Sequence, residues 1–278
     1  MANITESWEL ERDDETIHMY RHGVDVKVVL ARPKKGNVLT TKMVKDLTAI
    51  YKQGAKDQKI FRILLTAEGK YFCAGMDLGA EGGVLDDDQE AKQRQWTLLQ
   101  NLFEAIDTSP KVTIALINGP AFGAGIGLEF ACDIRIAAED ATFNISEAKV
   151  GLTPAAIMKW VLREWGVSRG REAMLTARPV KAGELVNSGV IHAVVHDAAG
   201  HDAAVEEYLR YLDACGPEAL AAIKKITRQQ ESERNGLIKS TYDSMMKPSS
   251  EARHGVQSFH ERRAPNWQGY HANSKGKL

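Results

Sequence analysis

Three stretches of this chain carry residue types that could do chemistry. Ala74-Gly75-Met76-Asp77 interrupts an apolar run, and Gly123-Ala124-Gly125 opens a helical stretch after a second apolar run. Small residues let a ligand come close to the backbone. A helix N-terminus adds favourable partial charge for an anion. Two such loops that bring two backbone N–H groups to one point can stabilise an oxyanion, and one donor in a dry site is worth on the order of 3 kcal/mol. The same glycines also suit tight turns and close helix packing, and either segment alone reads that way. Taken together, each entered from a strand, the two segments point to an oxyanion hole. The third stretch, Thr142 to Pro154, contains Glu147. On the residues alone, Glu147 is as well read as a surface carboxylate paired with Lys149 as it is a proton carrier.

Other polar residues fit less specific roles. Asp77 adjoins the first glycine segment and reads as a loop-fixing residue. Glu129 lies two residues beyond Gly127, which turns its side chain about 200° around a helix, away from Gly127. It reads as a solvated or salt-bridged helix residue. A phosphate loop is not expected, because Gly127-Leu128-Glu129 stands where a Walker motif needs Gly-Lys-Ser/Thr. The eight histidines are scattered without a ligand pattern, so no metal is expected, and no nucleophile elbow is present.

The elements that must position these residues follow from periodicity. Ile17 to Leu30 alternates around Gly23, as in an antiparallel hairpin. Met43, Val44, Leu47 and Ile50 have helical spacing. Phe61 to Thr66, Lys111 to Ile117 and Asp133 to Ala137 read as strands, with a helix from about Gln89 to Ile106 between the first two. A Gly- and Asp-rich gap, Gly79 to Asp88, precedes that helix. The recurrence of strands and helices predicts an α/β core. Beyond about Asp197 the pattern turns helical: Ala203 to Asp213, Pro217 to Glu233, Leu237 to Met246 and, after Pro248-Ser249-Ser250, Ala252 to Arg263. The expected division is a core over residues 1–200 and a helical region over 201–278.

Composition narrows the partners. The chain has 278 residues, 44% of them hydrophobic, enough for a substantial core, and its net charge of −1 gives no global attraction to nucleic acid or anionic membrane. No apolar run approaches the roughly 20 residues of a membrane span. The stretch Met1 to Asp14 is polar and acidic, unlike a secretory signal. Three separated cysteines, Cys73, Cys132 and Cys215, argue against a disulfide framework and fit a reducing intracellular compartment.

Three quoted segments together resemble the crotonase (enoyl-CoA hydratase/isomerase) superfamily: Tyr71-Phe72-Cys73-Ala74-Gly75-Met76-Asp77-Leu78, Ile117 to Asp133, and Thr142 to Pro154. The resemblance runs from Leu30-Ala31-Arg32-Pro33-Lys34 to Val256 through Trp267. It implies an α/β fold, a spiral of ββα units with a C-terminal helical trimerisation region, assembled as a homotrimer or a hexamer of paired trimers. It implies an acyl-CoA thioester as substrate, with no further cofactor, and the N–H groups of Met76 and Ala124 as the oxyanion donors. Hydratases of the superfamily place one glutamate in each of the last two segments. Here Glu147 fills the second position and Gly127 occupies the first. One carboxylate suffices to move a double bond: a base takes a proton from C2 of a 3-enoyl thioester and returns it at C4. The site pattern therefore resembles the Δ3-Δ2-enoyl-CoA isomerase branch. Hydration with an unusual acid, hydrolysis or carbon–carbon cleavage, and a catalytically inactive acyl-CoA-binding scaffold stay open.

The resemblance also places substrate contacts. Arg32 and Lys34 sit near a loop used around the nucleotide, and Arg262 sits where a C-terminal helix supplies a basic contact. Ala74, Gly75, Asp77, Leu78, Phe122, Gly123 and Gly127 belong to the substrate-facing segments. Leu98, Leu99, Leu102, Ile126, Met158 and Trp160 are lining candidates by location, and as readily core. Gly127 leaves room that a bulkier or branched acyl group could use. Lys224, Lys225 and Arg228 form a basic cluster, but Glu231 and Glu233 follow and no aromatic residues interleave, so a solvated helix face is expected rather than RNA binding. The terminal Gly276-Lys277-Leu278 differs at one position from a peroxisomal address, which leaves cytoplasm and peroxisome as expected locations.

Overall fold

The computed structural model describes residues 8–77, 87–196, 198–213, 215, 217–228, 243 and 250–263. Among them the strands in chain order are β1 (Glu9–Asp13), β2 (Ile17–His22), β3 (Asp25–Leu30), β4 (Arg62–Ala67), β5 (Val112–Ile117), β6 (Ala121–Phe122), β7 (Ile134–Ala138), β8 (Thr142–Asn144), β9 (Pro179–Lys181) and β10 (Ala193–Val195). The α-helices are α1 (Thr41–Lys56), α2 (Gln89–Asp107), α3 (Ala124–Ala131), α4 (Met158–Thr176), α5 (Ala182–Val186), α6 (Ala198–Asp213), α7 (Pro217–Thr227) and α8 (Ser250–His260).

A seven-stranded sheet has the order β1-β2-β3-β4-β5-β7-β10, and a three-stranded sheet has the order β6-β8-β9. The hairpin read around Gly23 is β2 and β3, with Ile17 opposite Leu30. The sheet is parallel from β3 through β10. Burial on both faces explains the unbroken apolar runs of β4 and β5. Alternate residues of these strands serve two cores: Ile63, Leu65, Ala115 and Ile117 join the larger one with α1 to α4, while Leu64, Val112, Ile114 and Leu116 join a second with Val205 and Leu209 of α6.

Helix positions follow local signals. Thr40 caps α1 by accepting from the Met43 N–H at 3.2 Å. Met43, Val44, Leu47, Ile50 and Tyr51 then bury one face. Asp88 caps α2 through the N–H groups of Glu90 and Ala91. All eight residues of α3 are buried, which explains its lack of a polar face.

In the basic cluster Lys225 is exposed, as expected of a solvated face, but Lys224 on α7 and Arg228 just past it differ from that expectation. Lys224 is buried and pairs with Asp133, and Arg228 reaches Asp107 at 3.0 Å and Asp133 at 3.2 Å. The chain of charges continues through Arg163 to Asp107 at 2.9 Å, Arg163 to Glu164 at 2.6 Å, and Arg135 to Glu164 at 2.8 Å. Asp107 and Asp133 at the ends of α2 and α3 draw these cations inward, so they join the helical region to the core instead of facing solvent. The expected helix over Leu237 to Met246, apart from residue 243, the end of the one begun at Pro217, and the Gly-Lys-Leu terminus lie outside the described residues. Among the described residues no helix is long and apolar enough to cross a membrane.

Candidate active site

The two glycine segments lie side by side. Leu39 donates its N–H to the Gly75 carbonyl at 2.8 Å and accepts from the Asp77 N–H at 3.1 Å. This strand-like pairing leaves the Met76 N–H directed away from Leu39. Beyond Met76 lies the second segment: Phe122 donates its N–H to the Cys73 carbonyl at 2.9 Å, and a Cβ on Gly75 would lie 3.2 Å from the Phe122 oxygen and 3.9 Å from the Ala124 nitrogen. Gly123 caps α3 at φ 47°, a left-handed conformation that opens the helix without a side chain in the way. Ala124 is the first residue of α3, so its N–H has no intrahelical acceptor. Neither the Met76 nor the Ala124 N–H has a hydrogen-bond acceptor among the described residues. The helix terminus thus presents partial positive charge beside a free donor.

Glu147 begins a 3-10 turn, Glu147–Val150, which is closed by Gly151 in the left-handed region at φ 72°. The turn is bonded to itself: Leu152 donates to the Glu147 carbonyl at 3.0 Å, and Gly151 to the Ala148 carbonyl at 3.2 Å. The residue is half-buried as a whole, but its Oε2 is shut off from solvent and has no hydrogen-bond partner among the described residues. Its Oε1 faces Gly123, where an added Cβ would sit 3.4 Å away. The carboxyl therefore stands beside the peptide that carries the Ala124 donor. Burial raises its pKa to about 7, opposed only by its own backbone N–H. Lys149 is exposed and forms no ion pair with Glu147 among the described residues. The surface-pair reading of Glu147 is thus replaced by a shielded acid whose proton is exchangeable near neutrality.

Gly127 does not leave open room. A Cβ there would meet three Phe103 ring atoms at 2.5 to 2.9 Å. Phe103 is fully buried and sits edge-on to Trp160, with ring centroids 4.9 Å apart. An aromatic wall therefore fills the place where the superfamily's other branch carries an acid, and a bulkier acyl group finds no space at Gly127. Glu129 is neither solvated nor salt-bridged among the described residues. It is fully buried, both carboxyl oxygens lack a hydrogen-bond partner there, and burial pushes its pKa well above the ordinary range, which favours the protonated form. Its neighbour Cys73 has its thiol pushed up to about 12, mainly by burial.

The remaining candidates spread outward. Leu99, Leu102, Ile126 and Trp160 are core, while Leu98, Phe122 and Met158 are half-buried beside it. Asp77 is held through its N–H to Leu39, and Ala74 donates to the Gly36 carbonyl at 2.8 Å. Leu78 lies outside the described residues. Arg32 donates to the Val38 carbonyl at 2.7 Å, which gives it a structural bond besides any ligand contact. Lys34 is exposed on a 3-10 turn, Pro33–Lys35, and Arg262 is exposed just past α8. Asn37 escaped the sequence reading. Fully buried at φ 54°, it accepts from the Arg32 N–H and donates to the Glu68 and Tyr71 carbonyls, tying the Arg32 loop to the loop that leads into Gly75. The Gly36-Asn37 dipeptide, a turn signal, marked the position. Phe103 left only the helical core stripe of α2 as a signal.

Comparison with known proteins bears on this arrangement. The sequence model of the enoyl-CoA hydratase/isomerase family matches residues 22–270. Enoyl-CoA hydratase ACTT6 of Alternaria alternata is 42% identical over 237 residues, covering 84% of this chain and 78% of its own. Carnitinyl-CoA dehydratase of Citrobacter koseri is 30% identical over 274 residues, covering 92% and 99%. The crystal structure of an enoyl-CoA hydratase from Mycobacterium avium superposes with a TM-score of 0.80 at 26% identity, over 92% of this chain and 100% of that one. The fold is that of the crotonase superfamily, and the paired loops with an adjoining acid lie within it. This chain belongs to the enoyl-CoA hydratase/isomerase family, and it is an enzyme of that acyl-CoA type.

Proposed function

We propose that this enzyme shifts a carbon–carbon double bond, converting a 3-enoyl-CoA to a 2-enoyl-CoA. The Met76 and Ala124 N–H groups hold the thioester oxygen. Glu147, as carboxylate, takes a proton from C2. The electron pair spreads over oxygen, C2 and C4 as a dienolate, and the same carboxyl returns the proton at C4 while the double bond settles between C2 and C3. No water or other reactant enters, and the thioester needs no cofactor. Lys34, Arg262 and the free donors of Arg32 are the cations assigned to the CoA phosphates. Assembly as trimers or paired trimers, and a cytoplasmic or peroxisomal location, belong to the same reading.

The observation that supports isomerisation is a shielded acid, Glu147, against Gly123, with an aromatic wall at Gly127, where hydration would use a second acid. Hydration needs a water placed and deprotonated, and at Gly127 the Phe103 ring occupies the space that a second carboxyl would need for that task. The second reading is hydration itself, which the names of the relatives favour. Matched 3-enoyl-CoA and 2-enoyl-CoA substrates separate the two by product mass. Isomerisation at unchanged mass from the 3-enoyl substrate supports the proposal; gain of one water on the 2-enoyl substrate replaces it with hydration, and release of free CoA replaces it with hydrolysis.

Two further results are expected. The free enzyme must hold Glu147 ionised to accept a proton, so kcat/KM should rise about tenfold per pH unit below about 7 and level off above it. A limb in the ordinary carboxylate range near 4.5 would remove the case for a shielded base. Gly127→Glu alone should add no water, because its Cβ collides with the Phe103 ring. Gly127→Glu combined with Phe103→Ala should give detectable water addition to 2-enoyl-CoA. If the single variant hydrates as well as the double, Phe103 is not the obstacle.

A further inference from the structure

The turn that carries Glu147 is held from two sides. On one side Gly123 meets the carboxyl itself. On the other, α8 packs against the turn, and the contact is backbone to backbone: a Cβ on Gly255 would lie 2.2 Å from the Val150 oxygen, 2.3 Å from its carbonyl carbon and 2.6 Å from its Cα. No side chain at 255 fits that space. Among the described side chains of α8, Gly255, Val256 and Ser258 are buried, and Ser258 folds its hydroxyl back onto the His254 carbonyl at 2.8 Å. The helix thus seats flat on Val150. Because the turn is closed by its own bonds from Gly151 and Leu152, a push on Val150 carries over to Glu147.

We propose that Gly255 is a positioning residue, the small-residue seat by which α8 fixes the Glu147 turn against the oxyanion loops. This rests on the reading of Glu147 as the proton carrier. Among the described side chains, the ionisable groups on the elements packed against the turn are Arg253, His254 and His260 on α8, Lys159, Arg163, Glu164, Arg169, Arg171 and Glu172 on α4, Glu129 on α3, and Lys149 on the turn itself. None of them contributes to the Glu147 shift, which burial alone raises. Displacing α8 therefore acts on Glu147 through geometry and solvent access, not through a lost ion pair.

The test is Gly255→Ala, whose methyl must part the helix from the turn by about 1 Å, a displacement that can cost about 10²-fold at a reacting centre. The expected result is a fall in kcat of about 10- to 100-fold with KM changed less than about threefold, and a shift of the acid limb toward lower pH. The limb shift separates positioning from general loss of structure. A second readout does not depend on the reaction: the Glu147 carboxyl of the free protein, followed by its infrared carboxyl band and assigned with Glu147→Gln, should titrate at lower pH in Gly255→Ala. Val256→Ala thins the same buried face without a clash and should move both readouts in the same direction by less. It decides the matter alone if Gly255→Ala does not fold. Unchanged kcat and unchanged titration in a folded variant overturn the proposal. An altered titration with no effect of Glu147→Gln on turnover retains the seat and overturns the assignment of Glu147 instead.

Discussion

Glu147→Gln is expected to lower kcat by about 10³-fold, within the 10²- to 10⁴-fold range typical of lost general acid–base catalysis, while acyl-CoA affinity stays within a few fold. The amide keeps the shape of the side chain but cannot accept the C2 proton. Its effect on stability should have the opposite sign at alkaline pH. The native carboxyl holds its proton until about pH 7, whereas the unfolded chain releases it near 4.5, so the native state binds more protons in that window. Stability of the wild type therefore falls as pH rises from about 4.5 to 7, by up to about 3 kcal/mol from this group. Glutamine does not titrate, and this part of the decline should vanish. Urea midpoints at pH 5 and pH 8 measure it. A variant as pH-sensitive as the wild type, or one that retains full turnover, removes Glu147 from the role given to it.

Ala124→Pro is the second large effect. Proline is tolerated at the first position of a helix, where its missing N–H costs no intrahelical bond. At this position the missing N–H is one of the two donors assigned to the thioester oxygen. The expected loss is about 10²- to 10³-fold in kcat, equivalent to about 3 kcal/mol. The variant's melting temperature shows whether α3 still starts at residue 124. Ala124→Gly, which keeps the N–H, should retain activity within about tenfold. Loss of activity in both variants would mean that the segment's packing, not its donor, is what turnover needs.

Much of this was legible in the residues. The apolar runs of β4 and β5 and the spacing of α1 declare themselves, because each element buries whole faces. The glycines at 75 and 123 mark where chain meets chain. The contacts made across long sequence separation were not legible. Nothing local distinguishes Phe103 from the other core residues of α2; its importance comes from lying over a missing side chain on α3. Glu129 shows the same limit. Helical geometry gave its direction away from Gly127, but not that the direction leads into the core. Lys224 and Arg228 read as solvated because their partners, Asp107 and Asp133, lie about a hundred residues earlier. The three-residue strands β8 and β9 and the long helix α4 were also missed. Strands that short carry no usable period, and α4 is kinked at Gly166, φ 71°, which breaks its pattern.

The chain of charges from Lys224 to Arg135 has a consequence for how the protein is made. Asp107 and Asp133 leave the ribosome long before Lys224 and Arg228. Asp133, two residues past the helix that offers the Ala124 donor, takes its cations Lys224 and Arg228 from α7 and the residue that follows it. Until that helix has been synthesised, the base of α3 carries an acid without its counter-charges. The ion pairs that join the helical region to the core below α3 therefore cannot form until about residue 228 has emerged, and a ribosome stalled near residue 200 holds a core that still lacks them.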